Sequence, residues 1–200
     1  SRRRHTRYIS VTGVQTCALP IWFKPPHFDE AVAESRPGTW WEVHPENYQV
    51  AGGPRWRMLE VLRERHPLSL HSVSLSLASP EAVDEKRLAA LCEMNRRLQP
   101  ALVSEHLAWS WWQGVYAPDL LPARRSDFLM QQMCRQIDRV QLALGREIVL
   151  ENPSHYVHLD HEWDEPDFLN TLSRRSGCKL QVDINNVAVS AQNLGLQAQA

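Results

Sequence analysis

Five segments of this 200-residue chain each place a histidine, carboxylate or amide at the end of a run of β-forming residues. WWEVHPENY carries Glu42, His44, Glu46 and Asn47, and LSLHSVSLSLAS carries His71. ALVSEHLAWS carries Glu105 and His106, EIVLENPSHY carries Glu151 and Asn152, and KLQVDINNVAVSAQN carries Asp183, Asn185 and Asn186. Imidazole nitrogens mixed with carboxylate and amide oxygens, and no thiolate, form a donor set that suits iron, manganese or zinc. A single histidine near a strand end is more often a hydrogen-bonded core residue. Recurrence on five segments favours one shared metal site built from His71, His106, Glu151, Asp183 and Asn186.

Such a site requires the five ends to converge. Between the segments, apolar residues recur at helical period: Leu129, Met133, Ile137, Val140 and Leu144 form one stripe on a helix expected over residues 126–144, which Gly145 stops. A second helix is expected from Pro54 to just before His66, which suits the negative helix end, and a third around Leu88, Leu91 and Cys92. A fourth is expected after Asp164 as N-cap, ending at Gly177. Strands are expected over residues 39–44, 68–75, 101–104, 147–150 and 179–183. Strands alternating with helices make an α/β fold with a parallel sheet, and in a TIM-type (β/α)8 barrel every strand end reaches the same rim.

The composition excludes several classes. A net charge of −1 gives no footprint for nucleic acid, and no apolar run is long enough to span a membrane. Nucleotide-binding glycine loops, the zinc-protease HExxH and the GxSxG elbow are missing. Cys17, Cys92, Cys134 and Cys178 form no CxxC pair and read as free thiols in a reducing cytoplasm. His155, His158 and His161 fall in a polar loop and read as solvated, and Trp109, Trp111 and Trp112 read as packing or as a wall beside the rim. Residues 11–21, VTGVQTCALPI, match the translation of a widely used sequencing-library adapter. Residues 1–21 are therefore expected to be an artefact, and residues 22–200 the N-terminal and central part of a single barrel with its first strand damaged and its C-terminal strands missing.

The segments KPPHF, EVHPENY followed by GGP, LHSVSLSLAS, PALVSEHLAWS, LENPSHY, the EWDEPDFLNTLSRRSGC stretch and VDINNVAVSAQNLG, in this order, resemble the multinuclear non-haem iron-dependent oxidative enzymes, formerly domain of unknown function 692. The resemblance implies a TIM-type barrel holding two or three iron ions that uses dioxygen to modify cysteines of a ribosomally made precursor peptide, with a partner protein that recruits the peptide leader. It implies iron ligation by His71, His106, Glu151, Asp183 and Asn186, with His27, Glu42, Glu46, Asn47, Glu105 and Asn152 near the site. The chain carries Ser72 where that family commonly has glycine. The alternatives are a divalent-metal sugar isomerase or phosphodiesterase on a similar barrel, or a metal- or peptide-binding module without turnover.

Overall fold

In the computed structural model, which describes residues 20–34, 36–50 and 52–196, the expected strand segments form one parallel sheet. Its strands are β1 (Pro20–Trp22), β2 (Trp40–Val43), β3 (Leu68–His71), β4 (Leu102–His106), β7 (Val149–Glu151) and β8 (Lys179–Gln181), adjacent in that order. Two further strands, β5 (Trp109–Trp112) and β6 (Val115–Leu121), pair antiparallel as a separate hairpin. Helices α1 (Phe28–Ala33), α2 (Pro54–Arg65), α3 (Glu85–Leu98), α4 (Asp127–Leu144), α5 (Glu165–Ser176) and α6 (Ile184–Leu194), with short 3-10 turns at Pro25–His27 and Pro45–Tyr48, complete the described elements. From α1 to α5, each helix touches the next. Sequential strand order with sequentially touching helices means that the helices wind along one face of the sheet, as in a barrel rather than a doubly wound sheet.

Period-two alternation splits each strand between two environments. Leu68, Leu70, Val103 and Leu150 belong to the hydrophobic core with Leu59, Leu62, Leu91, Met94, Met133 and Ile137 of the helices. The intervening positions, Ser69 and His71 on β3, Ser104 and His106 on β4, and Glu151 on β7, are equally buried but polar. The sheet therefore turns its apolar side to the helices and its polar side to the barrel interior.

Local chemistry sets the helix ends. Asp84 accepts hydrogen bonds from the Lys86 and Arg87 N–H groups at the start of α3, Ser126 accepts from Leu129 at α4, and Asp164 accepts from Asp167 at α5. Gly145 and Gly177 close α4 and α5 with φ of 67° and 73°, a left-handed conformation that costs glycine little.

Two expected strands stop early. The 68–75 segment leaves the sheet after His71 because the Val73 and Leu75 N–H groups donate to Glu46 and Glu105 instead of to a neighbouring strand. The 179–183 segment ends at Gln181 because Asp183 caps α6 through the Asn185 and Asn186 N–H groups. That cap starts a helix whose opening residues, Ile184 to Val187, have weak helix propensity. The tryptophan-rich stretch forms a hairpin because Gln113 and Gly114, with φ of 49° and 75°, make a two-residue turn in which both central residues are left-handed. β1 takes in Pro20 and Ile21, the last two residues of the adapter-like stretch; Cys17 lies outside the described residues. Among the described residues no helix is long and apolar enough to cross a membrane.

The capping hydrogen bonds to Asp84, chiefly that from Arg87, hold its carboxyl below its ordinary pKa. Its contribution to stability is therefore present above the pKa of an unfolded aspartate and is lost as pH falls through the folded-state value. Asp84→Ala is expected to lower stability by about 1 kcal/mol at neutral pH, read from the urea midpoint, whereas Asp84→Asn keeps most of the cap and loses its pH dependence.

Candidate metal centre

The sheet register places the ligand-type residues on neighbouring strands. His71 is the ladder partner of Ser104, and His106 is the partner of Glu151, which in turn pairs with Gln181. The His71 and His106 rings meet edge to face, with centroids 4.5 Å apart and their Nε2 atoms 3.2 Å apart. Glu151 Oε2 lies 3.5 Å from His71 Nε2. One ligand atom from each of His71, His106 and Glu151 lies within 4.8 Å of the others, and all three residues are buried.

Two imidazole nitrogens at this distance cannot both present lone pairs to each other; a proton or a metal ion must lie between them. The second nitrogen of each ring bears on the choice. His71 Nδ1 is 2.6 Å from Ser104 Oγ, so when Nδ1–H donates to that hydroxyl, Nε2 keeps its lone pair for a metal. Glu105 Oε1 stands 3.7 Å from His106 Nδ1, too far for a hydrogen bond, and acts on the ring by charge.

The electrostatics of the cluster are divided. Burial, then the neighbouring His106 and His44, push His71 well below its ordinary pKa, so it is neutral. Burial also opposes charge on His106, but Glu105 and Glu151 outweigh it and raise the pKa. Glu151 is raised to about 7, chiefly by burial, with the Asp183 and Glu42 carboxylates adding to it and His106 opposing. A site with two imidazoles, one carboxylate of shifted pKa and a further carboxylate beside it has the donors for a divalent metal and is poorly satisfied by protons alone.

The other expected site residues fall into distinct places. Asn186 donates from its side-chain amide to Glu151 Oε1 at 3.3 Å and to the Asn152 carbonyl at 2.9 Å, while its Oδ1 accepts from Ser154 at 2.8 Å. Asp183 is buried beside Glu151 and caps α6 with Oδ1, and the Asn152 amide brackets it by accepting from its N–H and donating to its carbonyl. Glu42 accepts from the Ser69 hydroxyl inside the sheet. Glu105 holds the Leu75 and His106 N–H groups. Glu46 accepts from Ser72, Val73 and Ser74 through Oε1, while its buried Oε2 has no hydrogen-bond partner. Ser72 thus adds a side-chain bond that glycine at this position lacks. His27 is exposed, 3.4 Å from Glu30, and Asn47 is exposed with its carbonyl accepting from Arg55; neither hydrogen-bonds to the triad.

His44 belongs to the first of the five polar segments but had no role there. Its Nδ1–H donates to the His71 carbonyl at 2.9 Å, and its ring lies 5.8 Å from His71 and 4.2 Å from Trp22. The carbonyl can only accept, so a neutral His44 keeps its lone pair on Nε2, and burial lowers its pKa toward that state. The HPEN pattern was the available signal, because the same segment supplies Glu42 and Glu46. His155, expected to be solvated, is 6% exposed: Ser190 and Asn193 bind its backbone and Glu165 its ring.

A family profile described as RiPP precursor modification enzyme MbnB/TglH/ChrH matches residues 19–200. The chain belongs to this family. A UPF0276 protein of Caulobacter vibrioides is 50% identical over 181 residues, covering 90% of this chain and 65% of that protein. A UPF0276 protein of Bordetella pertussis is 44% identical over 181 residues, covering 90% of this chain and 63% of that protein. The chain therefore spans somewhat less than two-thirds of the length of these curated relatives. Among solved structures, D-psicose 3-epimerase in the presence of D-fructose aligns with a TM-score of 0.53 at 12% identity, covering 78% of this chain and 56% of that one. At that identity the likeness concerns the fold alone, and it agrees with the TIM-type winding of strands and helices. Within the RiPP precursor modification family, the His71–His106–Glu151 cluster is this chain's candidate metal centre.

Because Glu151 titrates near 7 in the fold and near 4.5 when free, the metal-free protein loses stability as pH rises through that window. Metal needs the carboxylate ionised, so divalent iron, manganese or zinc is expected to raise the unfolding temperature more at about pH 8 than at about pH 5.5. Glu151→Gln should flatten both trends in thermal scans across the same range.

Proposed function

We propose that the protein is an oxygen-dependent, multinuclear non-haem iron enzyme that modifies cysteine residues of a ribosomally made precursor peptide. The observation that carries this reading is a buried two-histidine, one-carboxylate cluster at the strand ends of a barrel belonging to a RiPP precursor modification family. His71 and His106 would hold iron through Nε2 and Glu151 through its carboxylate, with Asp183 and Asn186 beside it for a second or third ion. Bound iron supplies a Lewis acid for a substrate thiolate and electrons for dioxygen.

The chain's own residues do the positioning. Ser104 orients His71, and Gln181 donates to Glu151 Oε2 at 2.6 Å, fixing the carboxylate plane. Asn152 holds Asp183 by its backbone. Glu46 and Glu105 pin the loop after β3, so the rim beside His71 keeps one shape. Glu42, beneath them with Ser69, keeps the interior polar and anionic, which offsets cationic charge at the rim. His27 and Asn47 are exposed and would serve as positions for substrate rather than metal. The family description supports a peptide substrate, and a leader-recruiting partner protein completes the proposal. Cys92, Cys134 and Cys178 are free, in keeping with work in a reducing cytoplasm.

The test is anaerobic purification with iron(II), metal analysis, and oxygen uptake with a cysteine-containing peptide. At least about one iron per chain, uptake that depends on the peptide thiol, and loss of both in His71→Ala are expected. Ser104→Ala should weaken metal binding roughly tenfold while leaving the fold intact, the cost typical of losing a ligand's outer hydrogen bond. Turnover of a sugar or phosphodiester without oxygen, or iron content unchanged in His71→Ala, would overturn the proposal.

A further inference from the structure

The loop leaving β7 serves two places. Its first residue, Asn152, follows Glu151 of the metal centre, and residues 155–161 fold against α6 and the start of α5 to border a cavity of 340 Å³. The loop is held before anything binds. His155 donates its N–H to Ser190 Oγ at 2.8 Å and accepts at its carbonyl from Asn193 at 3.1 Å, both on α6.

The cavity lining combines apolar Leu159, Val187 and Leu194 with polar or charged Arg125, His161 and Glu165. Arg125 is only 9% exposed; its Nε–H donates to the Trp163 carbonyl at 3.2 Å, but its buried Nη1 has no hydrogen-bond partner. An unanswered buried guanidinium donor costs free energy unless a ligand supplies an acceptor. His161 Nδ1 accepts the Arg125 backbone N–H at 3.0 Å, so a neutral ring carries its proton on Nε2 as a second donor. Burial and then the Arg125 charge lower the His161 pKa, which keeps the ring neutral. Glu165 is engaged by His155 Nε2 at 3.2 Å. Its negative charge, together with that of Asp164, offsets the Arg125 charge, so a ligand bearing more than one negative charge is disfavoured.

We propose that this cavity binds an organic monocarboxylate with an apolar body, the carboxylate taken by Arg125 and His161 and the body by Val187 and Leu194. A free small acid and an acidic residue of a peptide share this chemistry. The site is separate from the metal centre, and its readout is binding, so failure of the iron proposal leaves it standing.

Calorimetry on the purified protein with N-acetyl-leucine, N-acetyl-leucinamide, inorganic phosphate and an end-blocked Leu-Glu-Leu peptide tests it. The acid is expected to bind at least about tenfold more tightly than its amide and more tightly than phosphate. Val187, 36% exposed on α6, can change charge without opening the core. Val187→Glu should weaken the acid about tenfold, and Val187→Lys should not. Preference for N-acetyl-leucine over the blocked peptide assigns the site to a free acid, and the reverse preference assigns it to a peptide; both uphold carboxylate recognition. Equal binding of acid and amide, tighter binding of phosphate, no heat with any probe at about 10 mM, or equal effects of the two Val187 variants would overturn it.

Discussion

Two imidazole nitrogens 3.2 Å apart in a buried site impose the condition on which the centre rests: something positive must sit between them. In water, a proton would serve and solvent would share its charge. Here burial holds His71 neutral, while Glu105 and Glu151 favour charge on His106, so a single proton would be held unevenly among rings and carboxylates. A divalent cation meets the same condition with more charge and with lone pairs accepted from all three side chains at once. The oxygens of Glu42, Asp183 and Glu105, costly to bury near one another alone, then become the compensating charge of a cation.

That condition can be met only because the barrel is built with its polarity inside out relative to an ordinary core. Leucines and valines on the sheet face the helices, and serine, histidine, glutamate and glutamine occupy the alternate positions. Stability comes from the sheet–helix layer, where truncating a buried leucine typically costs about 2–5 kcal/mol. The interior supplies chemistry. Several of its polar groups are tied in pairs, Ser69 to Glu42, Ser104 to His71 and Gln181 to Glu151, which limits the penalty of burying them.

Much of this was legible in the chain because strand ends leave a local mark. His71, His106 and Glu151 each close a short β-forming run, and the amphipathic stripe of α4 and its Gly145 stop are readable without coordinates. The hairpin was hidden because its left-handed turn is made by Gln113-Gly114 rather than the Asn-Gly that usually signals it. Helix α6 was hidden because an aspartate cap, not propensity, starts it. His155 looked solvated among charged neighbours, yet the partners that bury it, Ser190 and Asn193, come from a helix more than thirty residues later, beyond any local pattern. The exposure of His27 and Asn47, with their contacts to Glu30 and Arg55, was equally invisible, since proximity in a motif says nothing about the direction a short turn takes.

The ladder pairing of His71 with Ser104 and of His106 with Glu151 carries one more implication. Neighbouring strands in any sheet stand roughly 4.8 Å apart because that is the span of a peptide hydrogen bond. Side chains on adjacent strand ends inherit this interval as a built-in gauge, close to what two donors need when they share one ion. The separation of the ligands is thus not itself inscribed in the chain. It is a constant of polypeptide chemistry, borrowed by whichever residues evolution sets at the rim.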